Sequence, residues 1–183
     1  MQEEIGAPYE STELRGAQRR SEEHLRRHPL GRVPALLLGD GTTMFESAAI
    51  CLQLADLNPG AGLIGPVGST ERGLVYQWVV FGASELEAPL FRWIRELAEG
   101  VTDSPAHDRF TEAAVAMQSA LAGRDWLVDG RFSVADVMCA SVLQGAKARE
   151  LLRPWPGLED YVQRGEARPA CARAAAISNR PRS

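Results

Sequence analysis

A chain of 183 residues, 45% of them hydrophobic, can fill one good core or two small ones. Its net charge of −4 and isoelectric point near 5.5 argue against a general nucleic-acid binder. No apolar run approaches membrane-spanning length, and no charged-then-apolar signal pattern opens the chain. Cys51, Cys139 and Cys171 are odd in number and widely spaced, so they read as reduced thiols of a cytoplasmic protein.

In chain order, residues 1–7, MQEEIGA, read as the tail of a helix stopped by Gly6, with Pro8 just beyond. Residues 8–15, PYESTELR, predict a strand anchored by Tyr9. Residues 16–29 have no large apolar face and predict a loop with a short exposed helix. Six arginines face three glutamates between Glu13 and Arg32, a local excess of three positive charges. That excess is either a solvated surface or a field that draws in an anionic ligand. The solvated reading is preferred for Arg19, Arg20, Arg26 and Arg27, and the two stand equal for Arg32. His24 and His28 have a spacing that can hold a metal on a helix, but Pro29 follows and no motif places a third ligand.

Residues 30–56 carry the densest signal. Residues 33–38 predict a strand, Gly39-Asp40-Gly41 a hairpin turn, and residues 42–45 a second strand. Glu46-Ser47 then opens a helix with Ala49, Ile50, Leu54 and Leu57 at helical spacing. Pro34 belongs at a strand start, an edge or a sharp turn. A cis Val33-Pro34 bond would turn the Val33 backbone outward, free to pair with an extended ligand. The first turn of the helix at Ser47 offers unpaired N–H groups, its dipole and a hydroxyl to a carboxylate. Glu46 can accept an ammonium. Backbone pairing, a carboxylate site and an ammonium site together suit a small γ-linked peptide.

Here the sequence resembles the glutathione transferase family. Residues 31–36, GRVPAL, match its G-(K/R)-V-P-x-L motif, and residues 46–50, ESAAI, match its E-S-x-A-I motif, at the right separation. The resemblance implies that Val33, Pro34, Glu46 and Ser47 bind glutathione, with Arg32 as a weaker contributor. His28-Pro29 stands where the family commonly has Asn-Pro, which implies a loop-shaping role. Cys51 lies one turn after Ser47, and a small buried hydrophobe is its preferred reading over an activated thiol.

Residues 58–69, rich in glycine and proline, predict a linker. Ser69 caps a predicted helix from about 70 to 97, which Pro89 should kink. Trp78, Ser84 and Glu85 could face the family's active cleft, but the preferred reading makes Trp78 and Phe81 core and leaves Glu85 and Glu87 solvated. Pro105 opens the next helix, which Gly123 stops. Ser133 and Asp136 form an S-x-x-D capping box ahead of an apolar helix over residues 134–148, with Phe132 placed to staple onto Val137. This too resembles the family, whose second domain has such a box. Helices at 158–164 and 167–177 and a polar tail at 179–183 complete the reading.

The expected fold is α/β plus all-α: a truncated thioredoxin-like domain (1–58), a linker (59–68) and an all-helical domain (69–183). The family's first domain begins with a strand, a loop bearing the catalytic Tyr, Ser or Cys, and a helix. Here roughly 20 such residues are expected to be absent, by average element lengths. No catalytic residue carries over, and activity of this chain is expected to be poor. The resemblance implies conjugation of the glutathione thiol to a small apolar electrophile by a homodimer without metal, nucleic acid or membrane. The alternative is a non-catalytic dimerisation or interaction module of the same fold.

Overall fold

The computed structural model describes residues 1–178; the predicted polar tail lies outside the described residues. The first helix, α1 (Gln2–Ile5), ends on Gly6 at φ 74°, a left-handed cap that glycine takes without a Cβ clash. It buries none of its residues against a core of its own. Two ion pairs hold it to the last helix, α9 (Pro169–Ser178), and to the residue just before that helix. Arg168 grips Glu4 through two bonds of 2.8 and 2.7 Å, and Arg173 reaches Glu3 at 2.8 Å.

The strand predicted at 8–15 does not form. A strand exists by its ladder, and no backbone ladder joins this segment to a neighbour. A 3₁₀ turn (Gly16–Arg20) and α2 (Glu22–Arg27) follow, where one short exposed helix was expected. β1 (Ala35–Leu37) and β2 (Thr43–Phe45) form an antiparallel pair with Ala35 opposite Phe45 and Leu37 opposite Thr43. The turn between them closes with the Asp40 carboxylate accepting the Thr42 N–H at 2.8 Å. α3 (Ser47–Leu57) then buries Ile50, Cys51, Leu54 and Ala55.

The link to the helical part is tied at two points. The Val134 N–H donates to the Leu63 carbonyl at 2.9 Å. The buried Arg72 guanidinium pairs with Asp56 and donates to the Gly65 carbonyl at 3.0 Å. α4 (Thr70–Phe81) starts at Ser69, whose hydroxyl accepts the Arg72 N–H at 3.2 Å. It runs through a π-helical stretch (Gly82–Glu87) into α5 (Ala88–Ala98). The break expected at Pro89 thus sits one turn earlier. Proline lacks the N–H that would bond back to residue 85 and clashes with that carbonyl, and a widened turn relieves both. Gly82 gives α7 a close approach there, since a Cβ would lie 3.1 Å from the Cys139 sulfur.

Ser104 caps α6 (Pro105–Ala120) through the His107 N–H at 3.0 Å. α7 (Val134–Lys147) is the central helix and α8 (Pro156–Glu166) lies against it, while α3, α4 and the π stretch also pack on α7. Its capping box is built around Asp136, which is fully buried. The Asp136 carboxylate accepts the Ser133 N–H at 2.9 Å, the Ser133 hydroxyl at 3.1 Å, the Leu127 N–H at 3.0 Å and the Tyr161 hydroxyl at 3.0 Å. Phe132 packs edge-on to Trp126 at 4.8 Å, with the Arg168 guanidinium 3.6 Å over its ring. The result is a small thioredoxin-like part with two strands, followed by an all-helical domain.

Candidate functional site

The site sits where β1, β2 and α3 meet. The Val33-Pro34 bond is cis. Val33 is 48% exposed, and among the described residues neither its N–H nor its C=O has a hydrogen-bond partner. It lines a cavity of about 1500 Å³ together with Tyr9, Leu14, Arg19 and Arg173. It also lines a smaller one of about 580 Å³ with Arg19, Arg20 and Arg32. Arg32, Arg19 and Arg20 form no carboxylate ion pair among the described residues, so they leave net positive charge beside Val33.

Glu46 precedes α3 at φ 71° and ψ 117°, a sparsely populated backbone conformation for a residue with a Cβ. Such a residue persists only where its surroundings over-determine it. Its carbonyl accepts the Ile50 N–H at 2.9 Å. The first turn of α3 has neither a side-chain cap nor an acidic residue. Its N–H donors and the Ser47 hydroxyl are therefore available to an anion. The structure thus brings Val33, Pro34, Glu46 and Ser47 to one end of the strand pair.

Glu87 was expected to be solvated. Instead it is half buried, and burial first, then the charge of Glu46, pushes its carboxyl above the ordinary range. The two carboxylates feel each other across the join between the two parts of the chain. No sequence spacing signals this, because 41 residues separate them. Glu85 pairs with Arg109 at 3.2 Å, and the exposed Ser84 hydroxyl donates back to the Val80 carbonyl at 3.0 Å. Trp78 is half buried and packs edge-on to Phe81 at 5.1 Å.

Cys51 is buried, and burial raises its thiol pKa, so it is held protonated rather than activated. Cys139 is raised further by complete burial. Among the described residues no group of three or more His, Cys, Asp or Glu could hold a metal ion. The His24 and His28 rings lie 6.4 Å apart; the His24 Nε2 meets the Arg32 carbonyl oxygen at 2.8 Å, and the His28 Nδ1 accepts the Leu30 N–H at 3.2 Å.

The family descriptions that match are "Glutathione S-transferase, N-terminal domain", over residues 1–57, and "Glutathione S-transferase, C-terminal domain", over residues 83–164. Glutathione S-transferase GstA of Escherichia coli O157:H7 is 34% identical over 152 residues, which are 78% of this chain and 71% of that protein. The chain belongs to the glutathione S-transferase family. A sphingomonad glutathione S-transferase, solved in complex with glutathione, superposes on this family member with a TM-score of 0.84 at 29% identity. The match covers 97% of this chain and 90% of the sphingomonad chain. The chain is also similar to elongation factor 1-gamma of Trypanosoma cruzi, 34% identical over 117 residues, 63% of this chain but 28% of that protein. No helix among the described residues is long and apolar enough to cross a membrane.

Proposed function

We propose that the chain is a glutathione S-transferase whose residues 1–58 bind glutathione and whose residues 69–183, joined by the 59–68 linker, shape the site for a small apolar electrophile. The observation that carries this reading is the uncapped first turn of α3, with the Ser47 hydroxyl at its mouth, beside the unpaired Val33 backbone. A carboxylate of glutathione is placed on the α3 N–H groups and Ser47. Its ammonium goes to Glu46, and its peptide backbone pairs with Val33, which Pro34 holds at the loop. Arg32 adds attraction without a fixed contact. These residues are assigned to binding, and none is assigned to the chemical step. Glutathione brings the thiol; holding it beside the electrophile supplies the proximity part of catalysis. Free cysteines Cys51, Cys139 and Cys171 suit a reducing, cytoplasmic setting.

Titration calorimetry with glutathione tests the assignment. Charge-assisted hydrogen bonds are worth about 1.5–3 kcal/mol, so Ser47→Ala and Glu46→Ala should each weaken binding at least about tenfold. Unchanged affinity in both variants would remove the glutathione assignment. The likeness to elongation factor 1-gamma favours a second reading, a non-catalytic module of the same fold. Binding of glutathione without turnover of a chloroaromatic electrophile selects that reading. Both readings place a second copy of the chain against the exposed Tyr76, Val80 and Phe91 of α4 and α5, and a monomeric mass in sedimentation of the same sample would exclude this.

A further inference from the structure

α2 is exposed nearly all round, yet it buries His24, and His28 just beyond its end is buried as deeply; each is only 3% exposed. Histidine is a poor filler. Its Nδ1 at residue 24 is buried without a partner among the described residues, and an orphaned polar atom is unfavourable. A phenylalanine would fill the same space without that penalty. What His24 does have is one bond: its Nε2 lies 2.8 Å from the Arg32 carbonyl oxygen. That oxygen can only accept, so Nε2 carries the proton and donates.

The consequence runs through the next amide. Arg32–Val33 is a trans peptide, since the cis bond is the one after it. In a planar trans amide the C=O and N–H point in opposite directions. Anchoring the Arg32 oxygen inward on His24 therefore faces the Val33 N–H outward, where it is unpaired. A donor on the carbonyl also polarises the amide and strengthens its N–H as a donor.

His28 pins the other end of the same loop. Its Nδ1 accepts the Leu30 N–H at 3.2 Å, its carbonyl accepts the Gly31 N–H at 2.8 Å, and its ring packs 4.9 Å from Phe45. Gly31 sits at φ 59° with the Arg19 carbonyl 2.5 Å from where a Cβ would be, so the loop admits no side chain there. Between Leu30 and Val33 the N–H of Val33 is thus turned out to the cavities rather than inward.

We propose that His24 is a positioning residue: its ring fixes the Arg32–Val33 amide so that the Val33 N–H is presented to the backbone of an extended peptide ligand. This rests on the glutathione reading above. It goes beyond that reading by assigning to a residue outside both motifs the alignment of the ligand's peptide bond.

The experiment compares the parent chain with His24→Phe, which keeps the ring and loses the donor, and His24→Gln, which restores an N–H near the same place. Ser47→Ala serves as the control. Glutathione affinity is read by calorimetry, and the ligand-free Val33 amide by its ¹⁵N and ¹H shifts. His24→Phe should weaken affinity about three- to tenfold, the net worth of one hydrogen bond, while His24→Gln stays within about twofold of the parent. The Val33 amide shifts should move in the phenylalanine variant and return in the glutamine variant. His24→Phe binding like the parent while Ser47→Ala loses affinity overturns the positioning role and leaves the glutathione reading intact. A glutamine variant as weak as the phenylalanine one, or a phenylalanine variant that fails to fold, assigns His24 to packing and also overturns it. A parent chain that binds no glutathione overturns both readings.

Discussion

The largest fully buried side chains among the described residues, Tyr161, Phe110, Leu86 and Leu90 foremost, all lie at Val75 or later. In the first part of the chain, by contrast, β1 and β2 leave Leu37 58% and Phe45 40% exposed. The helical domain is held by a continuous apolar core around α7. The thioredoxin-like part is held by a few apolar residues of α3, by histidines and by ion pairs. Burial supplies most of the free energy of folding, so stability concentrates in the helical domain. The residues read as a ligand site sit on the part with less of it. Ligand-binding segments are commonly drawn from the less stable end of a structure.

The sharpest test of this contrast is native-state hydrogen exchange. Amides of α7 from Met138 to Leu143 should exchange only by global unfolding. Those from Pro8 to Leu38 should open locally, with a difference of about 5 kcal/mol or more, the lower end of ordinary domain stability. Equal protection in the two regions would break the contrast.

Next in size is the loss of Asp136. Asp136→Ala strands the Leu127 and Ser133 N–H groups and the Tyr161 hydroxyl inside the helical core. Each orphaned donor is unfavourable by about 1–3 kcal/mol, so a loss of about 3 kcal/mol or more is expected in urea melts. Ser133→Ala should lose only about 0.5–2 kcal/mol, the usual worth of a cap. A small effect of Asp136→Ala would show that the turn at residues 126–136 does not organise the domain. Burial pushes the Asp136 carboxyl above its ordinary range, against the hydrogen bonds from Leu127, Ser133 and Tyr161. A carboxyl raised on folding binds more protons in the folded state. Its contribution to stability therefore falls as pH rises from the ordinary value to the raised one. Asp136→Asn should remove that slope.

How far the sequence announced all this varies along the chain. The paired motifs at Val33-Pro34 and Glu46-Ser47, the caps at Ser69 and Ser133, and the apolar α7 are local patterns, and local patterns are legible. Residues 8–15 alternate like a strand, but a strand also needs a neighbour to bond with, and alternation does not supply one. Pro89 announced a defect in the helix but not its place; the widened turn falls where Gly82 lets α7 approach. Burial of His24 was hidden because its reason, the Arg32 carbonyl eight residues on, is a backbone atom common to every residue. Glu87 was hidden because the charge that shifts it arrives from another part of the chain.

The smallest expected effect tests the trade between site and stability at Glu46. Its φ of 71° is a positive value that glycine takes far more readily than residues with a Cβ. Holding a residue in such a region is unfavourable by about 1–3 kcal/mol. Glycine gives back about 0.5–1 kcal/mol through the greater freedom of its unfolded chain. Glu46→Gly should therefore stabilise the protein by about 1 kcal/mol on balance. It should also lose affinity for glutathione, because the proposed ammonium acceptor is gone. Glu46→Ala removes the same carboxylate but keeps the Cβ, so it should lose affinity without the gain in stability. In both variants the Glu87 carboxyl loses a like-charged neighbour and should titrate lower than in the parent, which carboxyl NMR shifts can follow. Thermal melts of the two variants decide the point. A glycine variant no more stable than the alanine one would show that the backbone at residue 46 is relaxed as it stands, and its positive φ would then owe nothing to the site.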